Sequence, residues 1–267
     1  MPLIILGIFA FLILLFLFLI FPSPKKHKDT LLLNELYIAH RGLHSNSEGI
    51  PENSIPAFEK AIENGFAIEN DIHLTKDGYV VVFHDSDAKR ACGVDKKICE
   101  MTLKEIKELR LFGSEYTVPT LEECLKVIDG KVPLLIEYKY DGNSKALCEK
   151  AEAILKNYKG KYLIQSFHPQ FLYWYRKHRK DICRGQLSSG FKGEALYKRL
   201  SGCLLYNFIS RPHFVSYDYA TRKHPCFFIA TKLGAFPVGW TFRNQSGVET
   251  GKKYFKTYIF EHFTPKK

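Results

Sequence analysis

Apolar residues are arranged along the chain in two different ways. Residues 3–21 form one unbroken stretch in which every position is apolar or glycine, most of them Leu, Ile or Phe. Beyond it, short apolar runs of strand length alternate with longer segments of helical spacing. The runs are 37–39, 66–68, 79–83 and 132–136, then 162–167, 182–187, 213–217 and 236–242. Several are apolar throughout, as strands covered on both faces are. Between them, Asn53 or Ser54 can cap a helix that carries Ile55, Phe58 and Ile62 on one face and ends near Gly65. Thr120-Leu121-Glu122-Glu123 has the form of a capping box. Eight strands alternating with helices over about 230 residues predict a (β/α)8 TIM-type barrel. Residues 85–130 are too long for one crossover, which predicts a small insertion after the third strand with its own helix at 103–109.

The first stretch predicts something else. Nineteen apolar residues in a helix span about 28 Å, close to the hydrocarbon thickness of a bilayer. A cleaved signal peptide is the alternative, but it needs a basic start, a shorter apolar centre and a small-residue cleavage site. Met1-Pro2 supplies no basic side chain, and Phe21-Pro22-Ser23-Pro24 holds no such site. The expected organisation is a transmembrane anchor at 1–24, a linker at 25–35 and a barrel domain at 36–267. Lys25, Lys26 and Lys28 follow the apolar run, so the positive-inside rule puts the barrel of this single-pass protein in the cytoplasm.

Composition narrows the classes further. With 46% apolar and 25% charged residues, disordered, collagen-like and coiled-coil chains are excluded. Seven cysteines without a C-x-x-C pair give neither a disulfide framework nor a zinc ribbon. Lys and Arg number 39 against 28 Asp and Glu, a formal charge of +11. The basic residues are dispersed, with small clusters at 25–28, 176–180 and 266–267, and match no zinc-finger, RNP or homeodomain pattern. Nucleic acid is therefore not an expected partner, and no obligate protein partner is evident. A basic face beside an anchor suits anionic headgroups or phosphate-bearing substrates.

Candidate chemistry lies where polar residues end the apolar runs. His40-Arg41 follows the first, Glu69 and Asp71 the second, His84-Asp85 the third, and Glu137-Tyr138-Lys139 the fourth. In a barrel such strand ends share one face. Glu69 and Asp71 are two apart and project to one side, as do Glu137 and Lys139. Three carboxylates converging on one mouth call for a cation, and an all-oxygen set favours Mg2+ or Ca2+ over zinc. His40 and His84 can divide general-base and general-acid duty, while Arg41 and Lys139 can hold a phosphate.

These motifs resemble the glycerophosphodiester phosphodiesterase family. The likeness runs from Ile38 to about Thr241 through Ala39-His40-Arg41-Gly42, Pro51-Glu52-Asn53-Ser54, Glu69-Asn70-Asp71, Thr75-Lys76-Asp77-Gly78, His84-Asp85, Pro119 to Glu123, Glu137-Tyr138-Lys139, Ser166-Phe167 and Trp240-Thr241. It implies His40 and His84 as the paired catalytic histidines, Glu69, Asp71 and Glu137 as ligands of one divalent cation, Arg41 and Lys139 as phosphate contacts, and Trp240 as an aromatic pocket wall. Glu52 is expected to hold the first loop. His73 is expected to be satisfied by water or backbone, and His44, His168 and His213 receive no role. Two departures stand out. Residues 258–265 do not follow the family's usual closing segment, and Asn70 and His73 are polar where apolar residues are usual.

The reaction implied is hydrolysis of a glycerophosphodiester to an alcohol and glycerol 3-phosphate. Lysophospholipase D action on lysophospholipids is the alternative, which an anchor holding the mouth near the bilayer would suit. A non-catalytic module that binds a polyanion or membrane would require loss of a ligand or a histidine, and all five are present.

Overall fold

A computed structural model describes residues 2–266. Among the described residues nine strands occur, β1 (Leu36–Ala39), β2 (Ala67–Leu74), β3 (Val80–Val82), β4 (Leu134–Tyr138), β5 (Tyr162–Ser166), β6 (Arg184–Ser188), β7 (Phe214–Asp218), β8 (Phe236–Phe242) and β9 (Thr257–Phe260). The helices are α1 (Pro2–Ile20), α2 (Ile55–Glu63), α3 (Lys89–Cys92), α4 (Leu103–Glu108), α5 (Leu121–Ile128) and α6 (Ser144–Leu155). They continue as α7 (Pro169–His178), α8 (Leu196–Gly202), α9 (Asn207–Ser210), α10 (Pro225–Lys232) and α11 (Gln245–Gly251).

Eight of the strands form a closed parallel barrel in the order β1-β2-β4-β5-β6-β7-β8-β9, with β9 returning to β1. The expected TIM-type barrel is thus present, but with two of its strands assigned differently. The run at 79–83 is not a stave: β3 lies antiparallel on the end of β2, with Ile72 opposite Val82. Its place in the count of eight is taken by β9, in the C-terminal segment that departs from the usual pattern. Five residues separate β2 from β3, far fewer than the dozen a parallel crossover needs, so only a hairpin can join them.

Alternation along the staves divides the interior in two. Ile38, Ala67, Leu135, Leu163, Val238 and Ile259 point into the barrel, while Ile68, Ile136, Tyr138, Tyr217 and Phe260 point outward against the helices. The helix starts follow local chemistry. Ser54 caps α2 by accepting from Ala57 N at 3.4 Å. At α5, Thr120 and Glu123 form the reciprocal capping box the sequence predicts. The insertion between β3 and α5 carries α4 close to its expected span and packs on a small core of its own that includes Val81, Phe83, Ile98, Ile106 and Val118.

Lys28–Leu33 forms a 3-10 turn, and its Leu33 closes the end of the barrel where the strands begin. Beside that closure sits the foot of α1. The helix has a mean hydropathy of 3.4, is long and apolar enough to cross a membrane, and projects from the barrel for most of its length. Only its C-terminal end is packed, with Phe16 partly buried against the core and Ile20 buried. Asn207 Nδ2 donates to Ile20 O at 2.9 Å, and Arg211 Nη1 donates to Phe18 O at 3.0 Å and Phe21 O at 2.7 Å. α1 thus joins the barrel at the end opposite the strand C-termini, not beside the mouth.

Candidate active site

The first turn after β1 is shaped by backbone conformation. Arg41 and Gly42 both adopt positive φ, 59° and 80°. A Cβ on Gly42 would lie 2.8 Å from the Ala57 Cβ, so glycine is required there for close approach to α2. The turn aims the Arg41 backbone N–H at Glu69 Oε2, 3.0 Å away. Across the β2–β4 pair, Asp71 stands opposite Glu137, and both side chains point into the barrel with Glu69. Each of these three residues is buried, and the group offers ligand oxygens that all lie within 4.8 Å of one another.

Basic side chains partly neutralise this group. Lys139 Nζ donates to Glu137 Oε1 at 2.6 Å and is 2.9 Å from Asp71 Oδ1. Arg41 Nη1 donates to Glu52 Oε1 at 2.8 Å, and its Nε is 3.7 Å from Asp71 Oδ2. Burial pushes the Asp71 carboxyl upward, but Lys139, His84 and Arg41 outweigh it and hold the group well below the usual carboxylate range. At Glu69 the same two cations, Lys139 and Arg41, are outweighed. Burial first, then the charges of Asp71 and Glu137, raise it well above its ordinary value of 4.5, and its Oε1 is buried without a hydrogen-bond partner. Burial raises Glu137 as well, against the pull of Lys139. An orphaned carboxylate oxygen in an all-oxygen set of three acids fits a divalent cation.

The two histidines reach the mouth by different routes. His40 follows β1 directly, and its Nδ1 bonds Glu261 Oε2 at 2.5 Å. Burial pushes Glu261 up, yet the hydrogen bond and charge of His40, with help from Arg243, bring it down to about 2. His84 arrives on the hairpin. β2 runs past the mouth, and β3 leads back until Phe83 N donates to Asp71 O at 3.0 Å, which sets His84 beside the carboxylates. His84 Nδ1 bonds Asp85 Oδ1 at 2.6 Å, and Arg90 Nε donates to Asp85 Oδ2 at 2.6 Å. Burial lowers the His84 imidazole to about 4 despite the attraction of Asp71. In each pair the carboxylate holds Nδ1, so Nε2 is the nitrogen not engaged by it.

The structure therefore brings His40, Arg41, Glu69, Asp71, His84, Glu137 and Lys139 together at one mouth. Trp240 lies on the opposite wall, its indole N–H donating to Ser216 O at 3.2 Å and its ring edge-on to Phe167 at 5.7 Å. A cleft of about 430 Å3 opens between Lys139 and this wall, lined by Tyr140, Phe167, Phe191 and Tyr197 among others. Glu52 ties the first loop to the insertion by pairing with both Arg41 and Arg90. His73 is satisfied by Asp141 and by the His84 carbonyl at 3.3 Å. Asn70 faces the helix layer, buried, with both side-chain polar atoms lacking a hydrogen-bond partner.

Three site residues escape the sequence reading. Asn53, read as a possible cap and as part of the Pro51–Ser54 motif but given no role in the site, donates from Nδ2 to Asp71 Oδ2 at 2.8 Å. Arg90 links Asp85 to Glu52 from the insertion. Glu261 follows the apolar run 258–260 in the same way that His40 follows 37–39, a signal that could have found it.

The fold is thus a TIM-type barrel with an acidic, histidine-flanked mouth at the C-terminal ends of its staves. The sequence profile of the glycerophosphoryl diester phosphodiesterase family matches residues 40–264, and the chain belongs to that family. A glycerophosphodiester phosphodiesterase of Caldanaerobacter subterraneus is 36% identical over 149 residues, 51% of this chain and 59% of that protein. A lysophospholipase D of Rattus norvegicus, GDPD1, is 28% identical over 167 residues, 58% of this chain and 51% of its own length. The chain thus aligns with little more than half of these relatives. An Oleispira antarctica phosphodiesterase, solved with its product sn-glycerol-3-phosphate, has the same fold. It superposes with a TM-score of 0.72 at 23% identity, covering 86% of this chain and 94% of the other.

Proposed function

We propose that the chain is a membrane-anchored, divalent-metal-dependent phosphodiesterase that hydrolyses glycerophosphodiesters to an alcohol and glycerol 3-phosphate. The observation that carries this reading is the placement of two carboxylate-held histidines on either side of a buried three-carboxylate group. Glu69, Asp71 and Glu137 would hold the cation, Mg2+ or Ca2+, which when bound supplies charge neutralisation to the diester. Arg41 and Lys139 flank the same point and hold phosphate oxygens as negative charge grows. With Nδ1 fixed by Glu261 or Asp85, each histidine presents Nε2 to the cleft. One takes the proton of the attacking hydroxyl as its oxygen bonds to phosphorus, and the other gives a proton to the departing alcohol oxygen as the P–O bond breaks; water is consumed either as that attacker or in opening the cyclic phosphate formed when the substrate's own glycerol hydroxyl attacks. Trp240 and Phe167 wall the space beside the phosphate. Residues 1–24 act as a retained anchor, with Lys25, Lys26 and Lys28 favouring a cytoplasmic barrel.

One observation favours a second reading, lysophospholipase D action. The cleft beside Lys139 is lined by aromatic rings, which would accept an acyl chain. Full-length protein in detergent, assayed for choline release from glycerophosphocholine and lysophosphatidylcholine with Mg2+, Ca2+ or EDTA, separates the two. Metal-dependent release from the first substrate is expected; preference for the second moves the function to lipids. Turnover by His40→Ala or His84→Ala at the unmutated rate refutes the mechanism.

A further inference from the structure

A second charged cavity, of about 470 Å3, lies at the opposite end of the barrel, where α1 leaves it. Two of the basic clusters visible in the sequence converge there with two further arginines. Lys25 and Lys26 come from the segment after α1, Arg176 and Lys180 from the end of α7, Arg184 from the start of β6 and Arg211 from the turn before β7. Among the described residues, none of these six cations is in an ion pair, and no acidic side chain lines the cavity. Of the acids beside it, Asp29 pairs with His27, which lines the cavity, and with Lys161, while Asp181 pairs with Arg179.

The arginines are fixed in place. Arg184 is only 5% exposed, and its Nε and Nη2 donate to Ser210 O at 3.0 Å and Arg211 O at 2.9 Å. Arg176 Nη1 donates to Phe208 O and Ile209 O, and Arg211 Nη1 to the last turn of α1. A guanidinium has five donors, so each keeps N–H groups free for an anion. Burial, and after it the charge of Arg176, lowers Arg184 to about 10, and burial, then Arg184 and His27, lower His213 to about 3. A buried guanidinium without a counter-charge is costly unless an anion completes it.

We propose that this cavity binds the phosphate of an anionic lipid headgroup at the level where α1 enters the bilayer. The proposal rests on the reading of α1 as a membrane anchor. It concerns a ligand and not a substrate, because the cavity lies at the N-terminal ends of β6 and β7 while the catalytic groups lie at the C-terminal ends of the staves. Its elements suit a headgroup: the anchor ends in its wall, arginine forks match phosphate oxygens, and exposed Lys25, Lys26 and Lys180 add charge at its rim.

The test is native mass spectrometry of the full chain in neutral detergent, titrated with phosphatidylglycerol or phosphatidylcholine. The expected result is one retained phosphatidylglycerol, at least about tenfold preferred over phosphatidylcholine. The variant Lys25→Gln/Lys26→Gln/Lys180→Gln, which touches only exposed side chains, should lose roughly a hundredfold in affinity. A control, Lys126→Gln/Lys145→Gln/Lys156→Gln on α5, α6 and the α6 end, should lose none. Equal binding of both lipids, or an equal loss in the control, overturns the proposal. Displacement of the lipid by millimolar inorganic phosphate assigns the cavity to a free anion and overturns the lipid source. Alkaline extraction of cell membranes tests the anchor independently, so release of the chain there refutes the anchor without deciding what the cavity binds.

Discussion

Replacing Glu261 by Gln tests the role of a residue that touches neither the carboxylate group nor the cleft wall. Its Oε2 lies 2.5 Å from His40 Nδ1, and the two side chains are 7% and 13% exposed. It is depressed to about 2, so it stays ionised at any working pH and can accept a charge-assisted hydrogen bond from His40 Nδ1. A charge-assisted hydrogen bond of this kind contributes about 1.5–3 kcal/mol. If that stabilisation exists chiefly when His40 carries the proton in transit, kcat should fall about 10- to 150-fold, with KM little changed. Steady-state choline release from glycerophosphocholine measures this, with a cation titration alongside. Cation affinity should hold, because Glu261 is not among the three clustered acids. A kcat within twofold of the parent would refute the dyad, and a matched loss of cation affinity would show that Glu261 acts through the carboxylates instead.

The carboxylate group gives a pH prediction with a definite sign. Glu69 and Glu137 are raised above 4.5 in the fold, so the cation-free folded chain keeps protons that the unfolded chain releases, and its stability falls as pH rises above about 4.5. Asp71, held below 3.8, acts in the opposite direction only under more acidic conditions. The lowered histidines His84 and His213 work the other way over the same range, so the test is a difference: the gain on adding Mg2+ or Ca2+ should grow with pH, and Glu69→Gln should flatten that trend; a pH-independent gain contradicts this. Gly42→Ala should lower the melting temperature and disturb the Arg41 turn, by about 1–3 kcal/mol, because the new Cβ meets Ala57 at 2.8 Å; an unchanged melt argues against the packing. Leu12→Arg in the middle of α1 should cost about 2.5–3.5 kcal/mol of insertion and shift the chain toward the soluble fraction on cell fractionation; full retention in membranes would speak against a spanning helix.

Much of the mouth was legible because its chemistry interrupts apolar runs at their C-terminal ends. Ala39-His40, Ile68-Glu69 and Ile136-Glu137 are such junctions, and alternation alone places Asp71 with Glu69 and Lys139 with Glu137. What was not legible depends on strand direction and on distant partners. Val80–Val82 is apolar enough for a stave, and only the short Thr75–Tyr79 connection marks it as a returning hairpin. Tyr258–Phe260 closes the barrel although its sequence departs from the usual ending, since a parallel stave needs only buried apolar side chains and an open backbone edge. The pairing of His73 with Asp141 spans 68 positions, a proximity that neither periodicity nor local spacing encodes.

His84 is mounted on an outrigger. Its position is governed by the hairpin and by the insertion's separate core, tied at the hairpin tip by Lys76 N to Met101 O at 2.8 Å and Leu103 N to Asp77 Oδ1 at 3.0 Å. His40, by contrast, is fixed to the barrel frame itself. Units with separate cores open at their own free energies, so the insertion can melt while the barrel stays folded, and the histidine pair is then broken. The upper temperature of turnover would be set by this small lobe, below the melting point of the barrel, and stabilising the staves would not raise it.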